Sequence, residues 1–129
     1  MVETLIRPEG IHGARAVSGT SVVELYGEID VLTAPSVRAC LDGLTASARP
    51  DLVVDLRAVS FIDCAGLGLL CRARSRVLER DGRLRLVSGN VRLLRVMNAA
   101  GLSGVFEICD RLPAAVSAAS RHAHCRAAG

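Results

Sequence analysis

Strand-like and helix-like segments alternate along this chain from residue 21 onward, and this alternation restricts the fold more than any other feature. The predicted strands are short apolar runs at residues 21–30, 51–56, 83–88 and 105–109. Segments with amphipathic helical spacing follow them, at residues 33–44, 64–80, 90–100 and 112–120. This alternation is typical of βα units around a largely parallel sheet. We therefore predict an α/β fold with a four- to five-stranded, mostly parallel mixed sheet, an antiparallel N-terminal edge and about four helices.

Glycines and apolar runs indicate how the strands begin and end. Weak patterns at residues 2–7 and 12–17 predict an edge hairpin around Pro8–Gly10. Gly27 is expected to close the first clear strand. The run at 51–56 is almost wholly apolar, which predicts a strand that is buried on both faces.

Capping residues mark the predicted helix ends. The Thr33 hydroxyl is expected to cap the first helix, and Asn90 the third. Gly82 and Gly101 are expected to end the second and third helices. Apolar spacing predicts the faces that pack on the sheet, formed by Val37, Cys40, Leu41 and Leu44, by Leu67, Leu70, Cys71 and Leu78, and by Val91, Leu94 and Met97.

Composition excludes several classes of function. All sixteen basic residues are arginine, so the chain lacks the lysine that a P-loop or a Schiff-base enzyme requires. With two phenylalanines, one tyrosine and no tryptophan, it also lacks the stacking aromatics of a nucleic-acid-binding protein. The five cysteines form no C-x-x-C pair, and we expect them to be reduced. We read His122, His124 and Cys125 as incidental, and we expect no metal and no cofactor.

The chain length indicates one domain, expected at residues 1–120, with a frayed tail at residues 121–129. No apolar run reaches the roughly 18 residues of a membrane span. The N-terminal segment lacks the apolar core of a signal peptide. We therefore expect a soluble, cytoplasmic protein that does not bind membranes.

Polar residues follow three of the predicted strands, at Asp30, Asp63 and Ser88. The carboxyl ends of parallel strands are the usual functional edge of such a sheet, so we expect these residues to meet there. Asp63 is also a natural N-cap for the helix that follows it. Gly66 and Gly68 weaken that helix, which indicates close approach of another element or of a partner surface.

A set of motifs resembles a known family. GEID followed by TAP, the VVDL strand, FIDCAGLGLL and the later NAAGL segment are similar to the STAS domain, and more narrowly to bacterial anti-sigma factor antagonists. The resemblance runs from about residue 20 to 118. It implies the STAS fold and a non-enzymatic switch protein that sequesters an anti-sigma factor of the serine-kinase type, and so releases a sigma factor. In that family the kinase phosphorylates a Ser or Thr directly after the motif aspartate, and a phosphatase resets it.

This chain departs from the family pattern at the modified position. Cys64 and Ala65 follow Asp63, and neither carries a hydroxyl, so phosphoserine regulation cannot operate there. We expect a partner-binding surface formed by Asp30, Asp63, Cys64, Ala65, Gly66 and Ser88. Exposed side chains of Arg72, Arg76 and Arg80 are expected to extend it. The protein itself is expected to be a monomer or a weak homodimer.

Several roles for Cys64 stay open. It is a small residue that suits a helix start, and an antagonist carrying it would be locked in the unmodified form. A thiol at a helix N-terminus, with Arg57 or Arg92 nearby, would also suit a redox switch. Nucleophilic catalysis is disfavoured, because a cysteine phosphatase needs an arginine where this chain has Leu70. Ser60 and Ser88 are alternative phosphoacceptors, and a STAS subunit of another signalling or lipid-transport assembly, or a ligand sensor, is the alternative function.

Overall fold

The computed structural model describes residues 10–116. Its elements, in chain order, are β1 (Ile11–Val17), β2 (Thr20–Ile29), α1 (Ala34–Leu44), β3 (Asp51–Ile62), α2 (Cys64–Glu79), β4 (Arg83–Val87), α3 (Val91–Ala99) and β5 (Glu107–Cys109). Residues 114–116 are helical, where the predicted fourth helix begins. The rest of that predicted helix and the predicted tail at residues 121–129, with its His122, His124 and Cys125, lie outside the described residues.

The five strands form one sheet in the order β1-β2-β3-β4-β5. β1 pairs antiparallel with β2, and every other neighbouring pair is parallel. This arrangement confirms the predicted mixed α/β sheet and its antiparallel N-terminal edge.

β1 and β2 form an antiparallel hairpin at the N-terminal edge of the sheet. The predicted edge hairpin around Pro8–Gly10 involves residues 2–7, which lie outside the described residues. Ser18 and Gly19 connect the two strands with φ angles of 51° and 85°. Two consecutive left-handed residues match the twist of a tight hairpin, which explains why the chain turns between β1 and β2 here.

β2 and β3 are longer than the sequence indicated. Gly27 does not close β2: it lies within the strand at φ 69°, where the register between β2 and β3 shifts. A bulge of this kind bends a strand without ending it. β3 likewise continues past Leu56 to Ile62, so Ser60 belongs to a strand rather than to a loop.

Apolar side chains fill both faces of the sheet. On one face the three helices cover the main core, in which Val54 on β3, Val37 on α1 and Leu70 on α2 are almost fully buried. On the other face Val53 packs in a smaller cluster with Val116. β3 is therefore buried on both faces, as its sequence predicted.

Two helices are rotated from the predicted orientation. In α2 Leu67 and Leu70 are buried as expected, but Leu78 is 54% exposed and its neighbour Val77 is buried instead. In α3 Met97 is buried as expected, whereas Leu93 occupies the core position and both Val91 and Leu94 are exposed, at 59% and 38%. Apolar residues outnumber the available core positions on these helices, so spacing alone did not identify the buried face.

Gly82 is needed for packing rather than for a left-handed cap. The left-handed residue after α2 is Asp81, at φ 58°. A Cβ on Gly82 would lie 2.1 Å from the Pro50 carbonyl oxygen, so only glycine fits against that segment. The ends of α3 follow the prediction: Asn90 Oδ1 accepts a bond from the Arg92 amide at 2.9 Å, and Gly101 follows at φ 79°.

Arginines on α2 hold the C-terminal end of α1. Arg72 pairs with Asp42 through two bonds of 2.9 and 3.1 Å. Arg76 donates to the Thr45 hydroxyl at 2.8 Å and to the Asp42 carbonyl at 3.0 Å. Cations at the C-terminal end of a helix also favour its dipole. These contacts fix α1 against α2.

We predict that Asp42→Asn lowers the melting temperature by a few degrees at neutral pH. The hydrogen bond from Arg72 holds the pKa of the Asp42 carboxyl below its ordinary value of 3.8. A carboxyl with a depressed pKa stabilises the fold above its ordinary pKa, and this stabilisation is lost as the pH falls through the folded-state value. The difference between wild type and variant should therefore shrink in acid, as measured by thermal unfolding at pH 7 and pH 3.

Asp110→Asn is the matched control for this prediction. Asp110 is exposed, and within residues 10–116 it pairs only with its neighbour Arg111, at 3.8 Å. We expect that variant to unfold like the wild type at both pH values. An effect of Asp42→Asn that persists undiminished at pH 3 would contradict the account.

Candidate functional site

The ends of β2 and β3 bring two acidic loop residues to one edge of the sheet. Ile29 and Ile62 are register partners at the ends of these parallel strands. The Asp63 amide donates to the Ile29 carbonyl at 3.2 Å. Asp30 and Asp63 follow these paired residues directly, so the structure brings them together as the sequence suggested.

Asp63 caps α2. Its backbone is extended, and its Oδ1 accepts a bond from the Gly66 amide at 3.0 Å. This confirms the predicted N-cap, which stabilises the first turn by about 1 kcal/mol. Cys64 is the first residue of α2 and is exposed, and Ala65 is half-buried beside it. The thiol position is therefore open to a modifying enzyme or a partner.

Gly66 is required by close packing of α2 on the sheet. A Cβ at this position would lie 2.6 Å from the Ile29 carbonyl oxygen and 2.5 Å from Cγ1 of Ile62. Gly68 lies two residues further along the helix, and a Cβ at this position would meet nothing within 4 Å. The predicted close approach is thus to this chain's own strands at Gly66, while Gly68 is free to approach another molecule.

Asp30 fixes the loop that follows β2. Its Oδ1 accepts bonds from the amides of Leu32 and Thr33, at 3.0 and 3.2 Å. The Thr33 hydroxyl accepts from the Asp30 amide and donates to the Glu28 carbonyl, each at 3.0 Å. Thr33 therefore braces the loop and does not cap α1 by its side chain, contrary to the prediction.

The braced loop presents two apolar side chains that the sequence reasoning missed. Val31 is 69% exposed and Leu32 is 80% exposed. Large apolar side chains held outward on a rigid loop next to charged residues are typical of protein-binding surfaces. The only signal in the sequence is a pair of apolar residues directly after the GEID segment. We call residues 30–32 together with residues 63–65 the strand-end surface.

Ser88 lies away from the strand-end surface. Its side chain is buried, and its hydroxyl accepts from the Asn90 amide at 3.2 Å. The pairing of β4 with β3 ends at Val87 and Asp55, whereas β3 continues to Ile62. The long β3 therefore separates Ser88 from Asp63. The contact of Ser88 with a partner stays a prediction that the geometry does not favour. Of the two alternative phosphoacceptors, Ser60 and Ser88, only Ser60 is exposed.

Most of the arginines predicted around the site pair with other residues of this chain. Arg72, Arg76 and Arg80 are only partly exposed, and the first two hold α1. Their predicted extension of the partner-binding surface stays a prediction that these contacts do not favour. Arg57 pairs with the buried Asp55 at 2.8 Å and is not free to assist the Cys64 thiol.

Two further kinds of site are absent from residues 10–116. No group of three or more metal-ligating side chains occurs there. Across the same residues, no helix has both the length and the apolar character that crossing a membrane requires.

Comparison with known proteins identifies the class. A family model described as the STAS domain matches residues 13–115. The strand order, the parallel β2–β3 pair and the helix that begins after Asp63 are all within this segment. The chain therefore belongs to the STAS domain family.

The relatives narrow the assignment to the anti-sigma factor antagonists. The chain is 37% identical to an anti-sigma-B factor antagonist of Listeria monocytogenes over 82 residues, which is 64% of this chain and 72% of that protein. It is 36% identical to the anti-sigma-B factor antagonist of Bacillus subtilis over 86 residues, 67% of this chain and 78% of that protein. A solved structure of an anti-sigma factor antagonist from Mycobacterium paratuberculosis is 30% identical, with a TM-score of 0.68 over 87% of this chain and 96% of that one. The resemblance of the sequence motifs to this branch of the family is thus confirmed.

Proposed function

We propose that this chain binds an anti-sigma factor of the serine-kinase type through the strand-end surface, and thereby releases a sigma factor. The observation that carries the proposal is the exposed Leu32 on a braced loop at the same pair of strand ends as the exposed N-terminus of α2 at Cys64. The names of the relatives support an anti-sigma factor as the partner, and the resemblance of the sequence motifs implies its serine-kinase type. A partner of this class places the chain in the cytoplasm.

The proposal includes no catalytic step by this chain. The one histidine in residues 10–116, His12, is on β1, whereas Cys64 begins α2, and we propose only a binding role for the chain. Because the residue after Asp63 is a cysteine, the kinase has no hydroxyl to modify at the position that the family uses. We propose that the complex therefore persists in the presence of ATP.

A surface variant tests the binding site. Leu32→Asp places a charge on the strand-end surface, and we expect it to weaken binding to the anti-sigma factor by about 100-fold, as at an interface hot spot. The measurement is isothermal titration calorimetry with candidate serine-kinase anti-sigma factors from the same genome. Leu32 is almost fully exposed, so the fold should be unaffected.

Leu78→Asp is the matched control. Leu78 is also a large exposed side chain, but it lies at the opposite end of α2 from Cys64. We expect that variant to bind like the wild type. If both variants bind with wild-type affinity, the partner uses another surface and the proposed site is wrong.

A further inference from the structure

A groove runs between the end of β3 and helix α3, beside the strand-end surface but distinct from it. It encloses about 340 Å³. Val59, Ile62 and Leu93 are buried core residues at its floor, and the half-exposed Phe61 and Val96 lie at its sides. A concave apolar cavity of this size falls at the lower end of the range of ligand sites, about 300–1000 Å³.

Two arginines give the groove a positive rim. Arg92 and Arg95 line it from α3, and both are exposed. Among residues 10–116, neither forms an ion pair, whereas Arg72 and Arg76 of α2 both pair with Asp42. The lining contains no aspartate or glutamate, and the first turn of α3 has no acidic residue to offset the positive end of its dipole. An anion placed at this rim would meet only favourable charge.

We propose that the groove binds a small aliphatic carboxylate, with its chain along the apolar floor and its carboxylate on Arg92 and Arg95. A guanidinium matches a carboxylate in a planar, bidentate arrangement, which supplies both charge and direction. An apolar floor with a few convergent polar groups at one side is the usual composition of a site for such an amphiphile. The groove holds no acidic group that would favour a cation.

The groove lies where a bound ligand could affect the strand-end surface. Ile62 lines the groove, and the next residue is Asp63, the cap of α2. Ile62 also packs where Gly66 approaches β3. The inference does not depend on the proposed function, since a ligand in this groove can be detected without any protein partner.

Decanoate is the probe for the test, in a titration of the ¹⁵N-labelled protein followed by ¹H–¹⁵N correlation spectra. We expect saturable shifts confined to residues 59–62 and 91–97. Decanol has the same chain without the charge, and we expect it to bind at least about tenfold more weakly. The double variant Arg92→Gln/Arg95→Gln should bind decanoate more weakly than the wild type by a similar factor.

Arg111→Gln is the control for net charge. The Arg111 side chain is 85% exposed and, among the described residues, pairs only with Asp110. It does not line the groove, so this variant removes a charge elsewhere and should bind decanoate normally. Both arginine positions on α3 are on the surface, and a dispersed spectrum will show that the double variant is folded.

Three results would overturn the proposal. The first is equal binding of decanol and decanoate, and the second is an unchanged decanoate affinity in the double variant. The third is an absence of decanoate shifts while an acidic amphipathic peptide shifts the same residues, which would make the groove a peptide-docking surface.

Discussion

Gly66→Ala should destabilise the protein by about 2–4 kcal/mol. The added methyl group would lie 2.6 Å from the Ile29 carbonyl oxygen, which belongs to the backbone of a central strand and cannot rotate away. That carbonyl also accepts the bond from the Asp63 amide, so moving α2 outward would weaken the same junction. The loss exceeds the gain of about 1 kcal/mol that alanine brings to a helix interior in place of glycine.

Gly68→Ala separates packing from helix propensity. Gly68 is in the same helix, and a Cβ there would meet nothing within 4 Å. We expect this variant to be more stable than wild type by up to about 1 kcal/mol. Urea unfolding of the three proteins measures both effects. Similar stabilities for the two variants would show that α2 does not pack on β2 as closely as described.

Cys64→Ser should introduce a phosphorylation site at the position where the proposed function predicts none in the wild type. The side chain is exposed at the first position of α2, where a phosphate is favoured by the helix N-terminus. After incubation with the anti-sigma kinase and ATP, intact-mass spectrometry should show one added phosphate on the variant and none on the wild type. The modified variant should bind the kinase at least about tenfold more weakly, because the phosphate adds charge and bulk at the strand-end surface.

Cys64→Ala controls for the loss of the thiol. It should gain no phosphate and should keep its affinity for the kinase in ATP. Phosphate on wild type, mapped to the exposed Ser60, would mean that the acceptor has moved rather than been lost. An oxidation adduct confined to Cys64 that weakens kinase binding would favour the redox hypothesis instead.

Much of the fold was predictable because the signals are local and repeated. The apolar run at 51–56 identified the buried strand, and Asp63 and Asn90 were correctly predicted as caps. The parallel arrangement followed from the alternation of elements. Each of these features depends on residues that lie close together in the sequence.

The errors arose where distant residues decide the outcome. Leu93 and Leu94 are adjacent, and only the position of α3 on the sheet determines which of them is buried. Arg72 is on the polar side of α2, as its spacing indicated, but whether it is free depends on Asp42, thirty residues earlier. The exposure of Val31 and Leu32 was not predicted, because it follows from the hydrogen bonds that Asp30 and Thr33 make within the loop.

Displacement of a sigma factor tests the central claim most directly. Purified anti-sigma kinase is bound to its fluorescently labelled sigma factor in the presence of ATP, and the chain is added while fluorescence anisotropy is recorded. We predict that wild type releases the sigma factor and keeps it released, whereas Cys64→Ser releases it only until phosphate accumulates. A sigma factor that stays bound to the kinase at a large excess of wild-type chain would contradict the account.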